Sequence, residues 1–394
     1  MYVDGQWQPA STGGWIESID PSTGQAWSLI PRGTAPDAAR AAEAAHRALA
    51  AWAGRPATQR GALLRKLAEL VARDAEALAQ CDVRDNGKPV SDLRRQYAYL
   101  AEHWHYFAGL ADKIEGRVIP VDRGGVFNYT QREPIGVVAA IAPWNSPLVI
   151  ASWKIAPALV AGCTVVVKPS EHASASTLAF CRLVEEAGFP PGVVNVVTGL
   201  GEEVVEALVR HPKVAKVSFT GGEVGGQKVY QAAASDFKPV TLELGGKSAQ
   251  IVFADADLEF AAREVVNGIF NSSGQSCVAG SRLLVQASVH ERFVARVVEL
   301  TAQLKIGCPG DADTQMGPLS TQAQYERFLG YARTAAEEGA RCAFGGGASA
   351  LAQQGGWFVE PAVFTGVTAA MRIWREEIFG PLLAVMPFEH EEDA

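Results

Sequence analysis

Residues 137–171 read VVAAIAPWNSPLVIASWKIAPALVAGCTVVVKPSE. Two short apolar runs, VVAAIA (137–142) and TVVVK (164–168), bracket SWKIAPALVAG, a segment of helical length. A strand that apolar has no face for water, so it belongs inside a sheet covered on both sides. A helix between two such strands is the crossover that keeps them parallel. The rhythm continues with VVNVV (193–197), KVSF (216–219) and TLEL (241–244), separated by further helical stretches. Such alternation predicts an α/β fold built on a doubly wound, Rossmann-like parallel sheet.

Working outward, the chain from Pro36 turns rich in Ala, Leu, Arg and Glu. PDAARAAEAAHRALAAWA (36–53) reads as a helix, and ATQRGALLRKLAELVARDAEALAQCDVRDNGKP (57–89) as another, stopped at Asn86-Gly87. A helix over about Asp92 to Leu110 carries Tyr97, Trp104, Tyr106 and Phe107, a packed face rather than a cofactor box. Before Pro36, motifs such as DPSTGQ mark short strands and turns. Arg117 to Pro134 reads as a polar-rimmed hairpin turning at Gly124-Gly125. After Gly246 a second α/β unit begins: AQIVFADAD, a helix over Leu258–Phe270, RLLVQ, and a helix over His290–Lys305. At 394 residues, two or more domains are expected.

The formal net charge of −8 argues against a nucleic acid or an anionic membrane as partner of the whole molecule. No segment approaches the roughly 18 uninterrupted apolar residues of a membrane span, and MYVDGQWQPA lacks the pattern of a signal peptide. Six scattered cysteines show no CxxC or zinc spacing and suit reduced thiols in a cytoplasm. No metal is predicted; His103 and His105 read as partly buried polar residues.

In an open parallel sheet, ligands gather beyond the carboxyl ends of the strands. Those ends carry Trp144 and Asn145, then Lys168 and Glu171, then Gly201, then Phe219, Gly221 and Gly222, then Glu243. Glycines there would let a dinucleotide's phosphates approach a helix N-terminus, although no GxGxxG is present. Lys168 and Glu171 fit either a ribose contact or a surface ion pair. As a ribose contact, Glu171 would repel a 2′-phosphate and favour NAD over NADP. Glu243 lies in an apolar run, where burial would push a carboxyl towards the range of a general base. Asn145 could donate to an oxyanion, a contact worth roughly 3 kcal/mol. In FNSSGQSCVAG (270–280), Cys277 sits among small residues, with Gln275 and nearby amides as hydrogen-bond donors. It reads either as a cysteine buried at a turn or as a nucleophile needing a base or dipoles to form its thiolate.

These residues resemble the NAD(P)-dependent aldehyde dehydrogenase superfamily. APWN (142–145), KPSE (168–171), FTGG (219–222), ELGGK (243–247), FNSSGQSC (270–277) and EEIFGP (376–381) stand in that family's order. The resemblance implies that Cys277 attacks an aldehyde, that Asn145 and the Cys277 backbone N–H hold the oxyanion, and that hydride passes to NAD to leave a thioester. It implies Glu243 as the base for hydrolysis and Lys154 as an aid to proton movement. Lys168, Glu171, Gly201, Gly221 and Gly222 would line the adenosine and pyrophosphate side, with Trp144 and Phe219 beside the cofactor. Glu377 and Phe379 would hold the nicotinamide end. The implied domains are 1–117 with 135–244 for NAD, an oligomerisation hairpin at 118–134, and a catalytic domain at 245–394. A homodimer or homotetramer acting on a small-molecule aldehyde is expected.

Two departures stand out. Gly222 and Gly225 replace a serine and an apolar residue of the commoner FTGSTEIG. The chain also reaches Ala394 where family members continue for roughly a hundred residues, so a C-terminally incomplete catalytic domain with open strand edges is expected. Competing expectations are an inactive, truncated homologue that binds a dinucleotide or a partner, and a thiol esterase using only Cys277 and Glu243.

Overall fold

The N-terminus folds as the sequence punctuation suggests, in four short strands: Tyr2–Val3 (β1), Gln6–Trp7 (β2), Trp15–Asp20 (β3) and Gln25–Pro31 (β4). The last two pair into a ribbon of their own. These strands, like the rest of residues 1–394, are described by a computed structural model.

Five parallel strands follow: Val137–Ile141 (β5), Thr164–Lys168 (β6), Val194–Val196 (β7), Val214–Thr220 (β8) and Val240–Glu243 (β9). With β1 and β2 they make a seven-stranded sheet ordered β2-β1-β7-β6-β5-β8-β9. Every residue of β5, β6 and β7 is buried, as continuous apolar runs demand. Helices Pro147–Val160 and Ala175–Ala187 pack together beside β5 to β7. Ala35–Ala53 packs with Gly201–Arg210, which in turn meets Glu223–Ala234. Strand order reverses between β5 and β8, and this switch point is where the ends of open sheets form a crevice.

The second sheet is ordered β10-β11-β14-β13-β12, from Ala249–Val252 (β10), Arg282–Gln286 (β11), Arg341–Phe344 (β12), Ala362–Thr365 (β13) and Leu382–Phe388 (β14). Alternate residues feed two cores. Leu283, Val285, Leu383 and Val385 join the cluster around Phe270 and Phe293. Leu284, Leu382, Ala384 and Phe364 join the cluster around Phe328 and Trp374. That division is the period-two pleat of a sheet buried on both faces.

The chain divides into two units. Met1–Glu17, Leu29–Leu78 and Arg95–Glu243 form the first; Ser18–Ser28, Ala79–Arg94 and Leu244–Ala394 form the second. Two N-terminal segments therefore group with the C-terminal half, which no local feature of the sequence announces. The single helix expected over 57–89 is two, Ala57–Arg73 and Ala75–Asn86, broken at Asp74. Residues 117–134 pair through the Val118–Tyr129 bridge, two backbone hydrogen bonds beside it and the Arg117 N–H, which donates to Thr130 Oγ1 at 2.9 Å. Val118, Phe127 and Tyr129 are exposed there. Of the aromatic residues on the helix Val90–Gly109, Tyr97 and Trp104 are fully buried whereas Tyr106 is exposed.

Candidate active site

In the first unit the chain leaves β5, passes Trp144 and Asn145, and enters the helix Pro147–Val160. Proline fits that first helical position because the N–H it lacks would have no partner there. Asn145 is buried and Trp144 half-buried. Lys154, on the same helix, is buried and donates to Thr220 Oγ1 at 2.7 Å and Ser218 Oγ at 3.3 Å. Burial pushes its ammonium down to about 8, while the negative charge of Glu243 acts in the opposite direction. Thr220 and Glu243 are register partners on β8 and β9. Lys154, Thr220 and Glu243 thus make one cluster at the carboxyl ends of those strands.

Glu243 corrects one expectation. It is exposed, because β9 is the edge strand of its sheet and its residues alternate between half-buried and exposed. An apolar tetrapeptide at an edge does not bury its carboxylate. Solvent reaches it instead.

Lys168 closes β6, and its buried ammonium meets Glu171 Oε2 at 2.7 Å. Glu171 Oε1 accepts from the Gly201 N–H at 3.4 Å. Burial pushes the Glu171 carboxyl up, but the Lys168 ammonium outweighs it and leaves the group below its ordinary 4.5. The helices Gly201–Arg210 and Glu223–Ala234 flank a cleft of about 500 Å³ lined by Gly201, Val205, Phe219, Gly225 and Val229. A Cβ on Gly221 would stand 2.6 Å from the Phe219 ring, and one on Gly225 3.1 Å. These glycines are what let the ring lie against the start of the second helix, whose N-cap is Gly222. An apolar cleft, a helix N-terminus and an ionised carboxylate for hydroxyl groups fit the adenosine half of a dinucleotide.

Cys277, Glu377 and Phe379 belong to the second unit. The helix Leu258–Phe270 breaks into a turn in which Ser272, Ser273 and Gly274 all have left-handed φ, at 53°, 56° and 68°. For serine this conformation costs on the order of 1–3 kcal/mol and persists only where surroundings enforce it. Here they do. Asp92 accepts from the Ser272 N–H at 3.1 Å and from its Oγ at 3.2 Å, and Ser273 Oγ donates to the Gly317 carbonyl at 3.0 Å. Gln275 Oε1 accepts from the Ser320 N–H at 2.9 Å. A Cβ on Gly274 would lie 2.4 Å from the Gly380 carbonyl, so glycine is required there. Cys277 follows, half-buried and outside any disulfide, with Val278 beside it 75% exposed.

The Glu377 carboxylate rests on the Gly245-Gly246 backbone, accepting from the Gly246 N–H at 3.2 Å. A Cβ on Gly246 would stand 4.0 Å from the Cys277 carbonyl oxygen, so this loop runs beside the cysteine. Phe379 is left-handed at φ 60°, held by Gln324 Nε2, which donates to the Ile378 and Phe379 carbonyls at 2.7 Å each. Arg327 donates to the Glu377 carbonyl from the same helix, Gln322–Glu337.

The aldehyde dehydrogenase family profile matches residues 7–394. The chain belongs to the aldehyde dehydrogenase family. It is 44% identical to a hydroxyisobutyraldehyde dehydrogenase of Mycolicibacterium austroafricanum, over all of this chain and 78% of that protein. It is 42% identical to retinal dehydrogenase 2 of Gallus gallus, over 99% of this chain and 75% of that protein. The solved NAD+ complex of an aldehyde dehydrogenase from Bacillus cereus superposes with a TM-score of 0.97 at 41% identity, over all of this chain and 80% of that one. Relatives named for hydroxyisobutyraldehyde and for retinal both match this chain, so the family alone does not choose a substrate. As an aldehyde dehydrogenase, the chain has residues around its motifs that pattern reading missed. Ser218 and Thr220 carry a signal in hindsight, two hydroxyls spaced two apart on one strand. Asp92, 180 positions from Ser272, carries none.

Proposed function

We propose that this aldehyde dehydrogenase oxidises an aldehyde to a carboxylic acid with NAD+, in preference to NADP+, through a thioester on Cys277. One observation carries the reading. The family profile runs from residue 7 to 394, and within that span the sequence carries the groups that the chemistry asks for: Cys277, Asn145, Glu243 and Lys154.

The Cys277 thiolate attacks the carbonyl carbon, while the Asn145 amide and the Cys277 backbone N–H donate to the developing oxyanion. When bound, NAD+ would supply the hydride acceptor, and the Cys277 sulfur would then hold the acyl group as a thioester. Glu243, open to solvent, takes a proton from water; the hydroxide adds to the thioester, and the acid leaves as the thiolate returns. Lys154, hydrogen-bonded to Thr220, the strand partner of Glu243, provides an exit for that proton.

Glu171 would hold the adenosine ribose, with Lys168 beside it. Gly201, Phe219, Gly221 and Gly222 would shape the cleft, Trp144 would pack beside the cofactor, and Glu377 and Phe379 would take the nicotinamide end. Residues 1–117 and 135–244 are read as the NAD-binding domain, less Ser18–Ser28 and Ala79–Arg94, which group with the catalytic domain of 245–394. The exposed apolar residues of 118–134 support an arm that contacts a second copy in a homodimer or homotetramer. The free thiols suit a cytoplasmic enzyme.

NADH release across a panel of aldehydes tests the proposal. Cys277→Ala is expected to abolish it. Glu243→Gln should slow turnover roughly 10²–10⁴-fold yet keep a first burst of NADH. No NADH with any aldehyde, alongside intact ester hydrolysis, would sink it.

A further inference from the structure

The segment Ala79–Arg94 belongs to the second unit, carries buried charge and meets the turn before Cys277 through Asp92. Asp82, Asp92 and Lys88 are all buried. The Asp92 carboxylate accepts both the N–H and the hydroxyl of left-handed Ser272, five residues before the cysteine. A second tether joins the Asn86-Gly87-Lys88 loop to the same segment. Lys88 N–H donates to Asn86 Oδ1 at 3.0 Å, Ser320 Oγ donates to the Asn86 carbonyl at 2.6 Å, and Ser320 N–H donates to Gln275. Packing leaves no slack: a Cβ on Gly317 would stand 2.3 Å from the Gly87 carbonyl oxygen.

We propose that Asp92 is a positioning residue for the nucleophile: it fixes the strained turn that presents Cys277, and the Asn86-Gly87-Lys88 loop braces that turn through Ser320. The inference rests on Cys277 being the nucleophile.

The test is substitution of Asp92 in the whole enzyme. Asp92→Ala should lower kcat with little change in the KM for NAD+, and Asp92→Asn, which keeps an acceptor for Ser272, should restore most of it. Iodoacetamide alkylation of Cys277, followed by mass spectrometry on its peptide, needs neither cofactor nor aldehyde; its rate should change in Asp92→Ala and recover in Asp92→Asn. Unchanged kcat and alkylation in folded Asp92→Ala overturn the proposal, as does an Asp92→Asn enzyme that folds and recovers neither. The expected alkylation pattern with no aldehyde oxidised by the unaltered enzyme would defeat the dehydrogenase reading alone.

Discussion

Lys154 shows how much chemistry one buried side chain can concentrate. Its ammonium has two hydroxyl partners, Ser218 and Thr220, and the Glu243 charge nearby, yet burial still dominates and holds it near 8. Below that pH it is a cation; above it, a neutral amine able to take the proton that Glu243 removes from water. Turnover limited by thioester hydrolysis should therefore rise with pH through about 8. In Lys154→Met that limb should disappear, with the loss in kcat greatest on the alkaline side. Steady-state kcat measured against pH decides it, and a limb that survives the substitution removes Lys154 from the proton path.

At the scale of elements, the loop carrying Glu377 depends on the loop opposite having no side chains. A Cβ on Gly245 would come within 2.0–2.3 Å of the Glu377 carboxylate. Gly245→Ala must push that carboxylate off the Gly246 N–H and away from the place proposed for a ribose. Losing a charge-assisted hydrogen bond costs about 1.5–3 kcal/mol, so NAD+ affinity should fall roughly tenfold or more. Titration calorimetry reads this directly, and unchanged affinity would free Glu377 of the role. Elements differed sharply in how far sequence could reveal them. The fully buried β5, β6 and β7 were legible because burial on both faces leaves only apolar residues. The β9 tetrapeptide looked alike and is an exposed edge, since strand order is a tertiary fact. The helix break at Asp74 was hidden because Asp is unremarkable within a helical pattern. The motif residues Lys168 and Glu171 were readable as a pair and do pair, being three apart at the end of one strand. The left-handed serines were not, because nothing local requires them: Asp92 imposes that turn from far along the chain.

Across the whole molecule, buried ionisable groups set how stability follows pH. Lys88, Lys154 and Lys247 are each held near 8 by burial, against an ordinary 10.5. Between those values the unfolded chain binds more protons than the folded one, so stability climbs as pH rises from about 8. Burial pushes the Cys181 thiol and the Tyr2 hydroxyl far up from 9.0 and 10.0; above 9 the folded chain is the one that keeps those protons, and stability is drawn down. His103, His172 and His211 are lowered from 6.5, chiefly by burial, which penalises the fold in acid below that value. The thermal midpoint should accordingly be higher near pH 9 than at neutrality and fall off below 6.5; Lys247→Met should shrink the alkaline rise. Scanning calorimetry over that range tests the signs, and a midpoint falling steadily from neutrality to pH 9 contradicts them. The assignment of Ala79–Arg94 to the second unit also bears on inheritance. A crossover or gene fusion that moved residues 244–394 alone would carry the cysteine without Asp92, leaving the Ser272 N–H and hydroxyl without that acceptor. The nucleophile's half of this protein is no cassette: it can be transplanted only together with a short passage encoded far upstream.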